Sequence, residues 1–252
     1  MVFFNASEHR FNLSFSETLM LRNYARINNY IFCSMIGGAE SIRDLQEAKN
    51  LFINSFEFSI IESKFALKKI CNAIEKVFLG NLNLLKNSYV FINVSTLDGI
   101  DLIKNIKDFD FPDFLNKELI VFNLDRRLIT KNIKNIEGNN FEYSKFEDEI
   151  DPIIRDLLSS LKKNNYKSSI SGGINERSLT KNFSEFLLPD FLKTGLFTFG
   201  IKDTKLDVLL NNVLTYQKKE VQILKILRDS LYYRYDYIDK RYKHLDEYLK
   251  SK

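Results

Sequence analysis

The strongest constraint on the fold is a repeated alternation between short apolar runs and segments of helical period. Each apolar run ends near Gly, Ser or an acidic residue, and in the next segment apolar residues recur every three to four positions. The runs predicted as strands are residues 2–4, 30–36, 56–61, 89–94, 119–122, 167–171 and 191–199. The predicted helices are residues 16–27, 41–49, 65–77, 97–106, 150–161 and 176–186.

Most of the predicted strands read as continuous apolar runs, which is typical of parallel strands covered on both faces, whereas residues 167–171 form a polar-flanked strand that ends at Gly172 and Gly173. Successive strand–helix units without an evident linker favour an α/β fold, a (β/α)₈ TIM barrel, over a doubly wound sheet. Residues 108–115 and 130–143 are rich in Pro, Asn or acidic residues and are predicted as loops. We expect a barrel domain at residues 1–203.

Residues 204–252 show a different pattern, since apolar residues recur at helical spacing there without Pro or Gly. We expect a C-terminal helical extension that packs on the barrel or on a partner subunit. The apolar stripe from Leu206 to Leu249 exceeds the length of one barrel helix and contains several tyrosines. It predicts a homo-oligomer, most simply a dimer, unless the segment folds back after Tyr232 and Tyr233.

Charge and composition exclude several classes of partner. There are 37 basic and 33 acidic residues, so the net charge is only +4 and nucleic acid is not the expected partner. No apolar run approaches the roughly 18 residues of a membrane span, so no membrane association is expected. Cys33 and Cys71 lack a metal-ligand spacing, and the first residues lack a signal-peptide pattern. Cytoplasmic residence is the simplest expectation.

In a barrel, reactive groups lie where strands run into the following helices. Glu62 and Asp125 could supply oxygen ligands to Mg²⁺ or another divalent metal, although a helix cap or an ion pair with Arg126 or Arg127 explains each equally simply. The two arginines could clamp an anion or form a solvated surface pair. The glycines could admit a ligand or only form tight turns. The candidate ligand-binding residues are Gly37, Gly38, Glu40, Glu62, Gly172, Gly173 and Thr194.

Residues 35–48, M-I-G-G-A-E-S-I-R-D-L-Q-E-A, resemble a branch of the HpcH/HpaI aldolase and citrate lyase family that carries K-I-G-G-C-E-A and R-D-L-x-E-A. Residues 60–69, 91–96 and 171–174 resemble further motifs of that branch in the same order. The resemblance implies a TIM barrel that cleaves or forms carbon–carbon bonds beside a carbonyl, with a divalent metal holding the enolate. It also implies a small anionic 2-oxo acid or sugar acid as substrate, and a role in polysaccharide biosynthesis.

The chain departs from that branch at its charged positions. Met35 replaces the Lys before Ile-Gly-Gly, and Ser95 replaces the metal-binding Glu of N-I-E-T. Only Thr194 remains of an E-T-R-K motif, and Asp125 is the nearest match to a second metal-binding carboxylate. Two hypotheses therefore stand: a divergent aldolase-type lyase, or an inactive barrel that binds a ligand or a partner subunit. No catalytic residue is predicted.

Overall fold

Parallel strands follow one another across a single sheet in the same order as along the chain. The computed structural model describes residues 2–5, 15–27, 31–37, 41–53, 55–59, 61–138, 141, 145–172 and 189–193. Within these residues the strands are β1 Val2–Asn5, β2 Ile31–Ile36, β3 Ser55–Phe58, β4 Val90–Val94, β5 Ile120–Asp125, β6 Lys167–Ser171 and β7 Phe191–Leu192. The helices are α1 Phe15–Ile27, α2 Ser41–Asn50, α3 Lys64–Phe78, α4 Leu97–Lys104, α5 Arg126–Ile133 and α6 Glu147–Lys163, with 3₁₀ turns at Leu82–Asn87, Ile106–Asp108 and Lys117–Leu119.

The strand order distinguishes between the two α/β architectures considered from the sequence, a TIM barrel and a doubly wound sheet. A doubly wound sheet reverses its strand order at a switch point. Here the order runs from β1 to β7 without reversal, and every pairing is parallel. The predicted α/β fold of the TIM-barrel kind is confirmed, and in the described residues β1 and β7 form the two edges of the sheet.

Contacts between distant strands show that the sheet curls. Glu57 on β3 forms an ion pair with Lys193, which follows β7 directly. The rings of Phe91 on β4 and Phe191 on β7 lie 5.5 Å apart. In a flat sheet β3 and β7 would be separated by four strand spacings, or about 19 Å, more than these side chains span. We call the face that carries these residues the inner face.

The two faces of the sheet have different neighbours. On the inner face Cys33, Phe91 and Val121 form a buried apolar cluster. On the outer face Phe56 packs against Phe78 of α3, with ring centroids 5.4 Å apart. Residue partners across β3 and β4, such as Glu57 with Phe91, share a face because side chains alternate along each strand.

Side-chain caps start three of the helices at the carboxyl ends of the strands. The Ser63 hydroxyl accepts the amide of Ala66, and the Thr96 hydroxyl accepts the amide of Gly99. Asp125 caps α5 in the same way, through the amide of Leu128. Each cap satisfies an amide that the first helical turn leaves free, and such a cap stabilises a helix by about 1 kcal/mol.

One predicted loop is wrong in part. Residues 130–143 were expected to be irregular, but α5 extends to Ile133. The Thr130 hydroxyl donates to the Arg126 carbonyl at 2.6 Å, and Ile129 and Thr130 are fully buried. Burial therefore outweighs the loop preference of the Asn-rich composition. Strand β5 also continues beyond the predicted end at residue 122, up to Asp125.

The predicted helix at residues 176–186, most of the predicted strand at 191–199 and the extension at 204–252 lie outside the described residues. None of the helices in the described ranges has the length and apolar character needed to cross a bilayer. Cys33 and Cys71 are buried free thiols.

Candidate functional site

The inner face changes character along the strands. Towards their amino ends it is apolar, with Tyr89, Phe91 and Phe191 in mutual ring contact. Towards their carboxyl ends it carries polar side chains that we call the inner polar cluster. The members of this cluster are Glu57, Asn93, Asn123, Ser169, Ser171 and Lys193. A polar group above an apolar floor at the carboxyl ends is the usual setting of a ligand site in this architecture.

Hydrogen bonds join three strands within the inner polar cluster. The Asn123 amide nitrogen donates to the Asn93 side-chain oxygen at 2.7 Å and to the Ser171 hydroxyl at 3.0 Å. The Ser171 hydroxyl lies 3.4 Å from a carboxylate oxygen of Asp125, to which it donates. The Asn123 oxygen and the Ser169 hydroxyl are buried, and neither has a hydrogen-bond partner among the described residues. Buried polar atoms rarely lack a partner, so each can take a hydrogen bond from a water or ligand that reaches it.

The charged part of the inner polar cluster is the pair Glu57–Lys193. Glu57 is fully buried, and one carboxylate oxygen pairs with the Lys193 ammonium, while the other has no hydrogen-bond partner within the described ranges. The Lys193 side chain retains 23% exposure. The pair therefore presents a cation that a ligand can reach, held by a carboxylate that water does not reach.

The position of Lys193 bears on the expected loss of a cation at Met35. Met35 on β2 is the register partner of Glu57 on β3, so the two residues share the inner face. Lys193, which directly follows β7, pairs with this register partner of Met35. The inner face therefore carries a cation, although not at the strand position where the resembled branch has lysine.

The residues predicted to bind metal have other roles in the structure. The carboxylate of Asp125 accepts the Leu128 amide at 2.9 Å and the Ser171 hydroxyl, so the alternative role as a helix cap is present. Glu62 is exposed. Within the described ranges, no three His, Cys, Asp or Glu side chains are grouped closely enough to hold a metal ion. A Mg²⁺ site with Asp125 and Glu62 stays a prediction, and it would need further oxygen ligands such as water.

Of the four predicted glycines, the structure describes Gly37 and Gly172. Gly37 is buried, and its amide donates to the Asp44 carboxylate at 2.8 Å, which ties the end of β2 to α2. Gly172 has a φ of +75°, and an added Cβ would lie 2.4 Å from a carboxylate oxygen of Asp125. Gly172 thus has a structural reason to be glycine, whereas the Gly37 amide makes a hydrogen bond that any residue except proline could make. Gly38, Glu40, Gly173 and Thr194 lie outside the described residues.

The two arginines after β5 are not equivalent. Arg126 is 1% exposed and lies 3.9 Å from Glu147 at the start of α6, so it does not belong to a solvated pair. Arg127 is exposed, and its guanidinium lies 5.5 Å from the centre of the Phe141 ring. Arg126 therefore links α5 to α6, and it does not form an anion clamp together with Arg127.

Sequence reasoning missed Glu57, Asn123 and Lys193. A signal was present for Glu57, because a carboxylate between Phe56 and Phe58 in a buried strand has to face a polar partner. The partner could not be identified, since a contact between β3 and the end of β7 depends on how far the sheet curls.

No protein-family model matches the sequence, and no curated protein matches it. Solved structures with a similar fold include citrate synthase SbnG, with a TM-score of 0.56 and 9% identity over 88% of this chain and 84% of that one. A citrate lyase from Burkholderia xenovorans LB400 has a TM-score of 0.53 at 8% identity, and the match covers 91% of both chains. A malate synthase from Haloferax volcanii has a TM-score of 0.53 at 9% identity over 98% of this chain and 84% of that one.

At these identities the similarity shows the fold alone. The chain shares the α/β barrel architecture of citrate lyase-like and malate synthase structures. The resemblance to the particular HpcH/HpaI branch rests on the motifs at residues 35–48 and 60–69.

Proposed function

We propose that the chain is a divergent aldolase-type carbon–carbon lyase that acts on a small anionic 2-oxo acid or sugar acid bound at the inner polar cluster. The observation that carries this proposal is the Glu57–Lys193 pair at the carboxyl ends of the strands. The fold shared with citrate lyase and citrate synthase structures supports it. The sugar-acid substrate and a role in polysaccharide biosynthesis rest on the motif resemblance alone.

The pair supplies the electrostatics that aldol cleavage requires. When the carbon–carbon bond breaks, its electron pair moves onto the fragment that carries the carbonyl, and that carbonyl oxygen gains negative charge. The hydroxyl of the other fragment loses its proton to water and becomes a carbonyl group. An ammonium fixed beside that oxygen stabilises the charge as it develops. Lys193 supplies this cation, and Glu57 positions it and neutralises it when no substrate is bound. The free oxygen of Asn123 and the Ser169 hydroxyl accept hydrogen bonds from substrate hydroxyls.

Exchange of the pyruvate methyl protons in D₂O, followed by NMR, tests the proposal without knowledge of the full substrate. Exchange requires formation of the enolate, so we expect it with the wild-type chain and a large loss in Lys193→Met. Lys193→Arg, which keeps the cation, should retain part of the activity. A second change, Met35→Lys, restores a cation from the neighbouring strand and should recover exchange in the Lys193→Met background.

A matched control is available on the same face of the sheet. Lys167 lies at the amino end of β6, and its register partner on β5 is Val121. Lys167→Met removes an equal charge away from the inner polar cluster and should leave exchange unchanged. If Lys193→Met exchanges as fast as the wild type, the proposed role of the pair is wrong.

One observation favours the second candidate, a barrel that binds its ligand without turning it over. Ser95 stands where the resembled branch has a metal ligand, and the carboxylate of Asp125 is engaged as a cap. Calorimetry with pyruvate and simple sugar acids, run beside the exchange assay with Mg²⁺, with Mn²⁺ and with a chelator, separates the candidates. Binding that depends on Lys193, without exchange in any of these conditions, supports the binding role.

A further inference from the structure

A second cleft lies at the opposite end of the strands from the inner polar cluster. Its volume is about 760 Å³, and Ile31, Ser55 and Tyr89 line it where β2, β3 and β4 begin. The volume falls within the range of roughly 300–1,000 Å³ that is usual for small-molecule sites. The proposed function does not use this cleft.

The cleft is basic. Its lining residues include Arg22, Arg26 and Lys49, and none of those that the structure describes is acidic. Arg22 and Arg26 are one helical turn apart on α1, where like charges repel. Burial, and then the charge of Arg26, lower the pKa of the Arg22 guanidinium. A bound anion would relieve this repulsion.

The three cations are not equally available to a ligand. Lys49 donates to the Val77 carbonyl at 2.8 Å, where it compensates the C-terminal end of α3. Arg22 donates to Asn23 and to the Phe52 carbonyl. Arg26 is exposed, and in the described part of the chain it forms no hydrogen bond or ion pair. Arg26 is therefore the cation most open to an anion in this cleft.

Phe52, which also lines the cleft, has an unfavourable backbone conformation. It follows α2 in the left-handed conformation, with a φ of 55°, and the Ile53 amide donates to the Ala48 carbonyl at 2.8 Å. This is a Schellman cap, in which Gly or Asn usually takes the left-handed position. Asn does so at the ends of α5 and α6, at Asn135 and Asn165.

A phenylalanine in this conformation costs about 1–2 kcal/mol. Burial of the ring does not offset that cost, because the residue is 77% exposed. The Arg22 guanidinium lies over the ring, 5.7 Å from its centre. A large ring that is strained, exposed and placed at the edge of a basic cleft suggests a contact that the described part of the chain does not supply.

We propose that this cleft binds a nucleotide, with the base stacked on Phe52 and the phosphate held by Arg26 and Arg22. Arginine suits phosphate because its guanidinium offers several donors in one plane. Stacking of a base on an aromatic side chain contributes about 1–3 kcal/mol. Asn50, Asn81 and Asn87 line the same cleft and offer amide groups to the edge of the base.

Calorimetric titration of the full chain with AMP, adenosine and ribose 5-phosphate tests both halves of the proposal. AMP should bind at least ten times more tightly than either adenosine, which lacks the phosphate, or ribose 5-phosphate, which lacks the base. Phe52→Asn keeps a residue that tolerates the left-handed conformation, so thermal stability should be equal or higher while AMP affinity falls at least tenfold. Arg26→Gln should weaken AMP and leave adenosine unchanged.

Phe65 provides a matched control. It is 69% exposed on α3, with the Lys69 ammonium 5.2 Å from its ring centre, but it does not line the cleft. Phe65→Asn should leave AMP binding unchanged. The proposal is overturned if AMP does not bind at millimolar concentration, if Phe52→Asn binds AMP like the wild type, or if ribose 5-phosphate binds as tightly as AMP.

Discussion

Replacing Lys193 by Met is expected to destabilise the protein more than replacing Glu57 by Gln. The asymmetry follows from burial, since Glu57 is fully buried and the Lys193 side chain keeps 23% exposure. Without Lys193 the carboxylate is left in the interior with no opposite charge beside it, which costs about 3–5 kcal/mol for a buried pair. Without the Glu57 carboxylate the ammonium still reaches water, and the loss is that of one charged hydrogen bond, about 1.5–3 kcal/mol.

Equilibrium unfolding in urea, followed by far-UV circular dichroism, measures both values. The double variant Glu57→Leu with Lys193→Met removes both charges, and it should be more stable than Lys193→Met alone because no uncompensated charge remains. Lys167→Met, at the other end of the inner face, should change the unfolding free energy by less than about 0.5 kcal/mol, as most surface changes do.

The reasoning is refuted by either of two results. The first is Glu57→Gln destabilising the protein as much as Lys193→Met or more. The second is additive effects, with a coupling energy below about 0.5 kcal/mol, which is the value found for residues that do not touch.

Three further predictions concern the metal, the thiols and the assembly. Any binding of Mg²⁺ or Mn²⁺ measured by calorimetry should be weak and lost in Asp125→Asn, which keeps a capping side chain; unchanged binding excludes this assignment. Burial raises the pKa of Cys71 to about 11 and that of Cys33 well above its usual range, so alkylation by iodoacetamide, followed by mass spectrometry, should stay slow at pH 8. In the unfolded chain the thiols lose their protons at a lower pH than in the folded protein, so the unfolding free energy should fall as the pH rises above about 9. Rapid alkylation at pH 8 would contradict the expected low reactivity of the thiols. Light scattering should show a dimer for the full chain and a monomer for a version ending at Ser230, whereas an oligomer indifferent to truncation means that the extension is not the interface.

Most of the strands were predictable because burial on both faces leaves a continuous apolar run, a signal that is local in the sequence; β6, with the sequence K-S-S-I-S, lacks such a run. Their order was predictable because successive strand–helix units favour neighbouring parallel strands. Helix α5 was not predictable from the sequence, since Thr130 and Asn132 are residue types common in loops and the burial that favours the helix comes from other elements. Local composition and tertiary burial disagree there, and burial decides the structure.

The inner polar cluster could be predicted only in part, for a related reason. Sequence reasoning looked for chemistry just after each strand, where Asp125 and Glu62 stand. The structure places Glu57 inside β3, and it places Lys193 directly after a β7 that ends at Leu192, well before the predicted strand end at residue 199. The face of each strand follows from alternation, but the contact between strands that are not neighbours follows from curvature, which no local pattern encodes.

The motifs that carry the family resemblance explain why fold and function separate in this chain. Asp44 of the R-D-L motif accepts the Gly37 amide, Ser63 caps α3, and Thr96 caps α4. Each of them supports a junction between a strand and the next helix, so these residues have a structural role that does not depend on the inner polar cluster. The charged pair on which the proposed function rests lies on the inner face, where Glu57 of β3 meets Lys193 after β7. Because the two sets of residues are distinct, the resemblance predicts the architecture well, while the reaction has to be argued from the inner face itself.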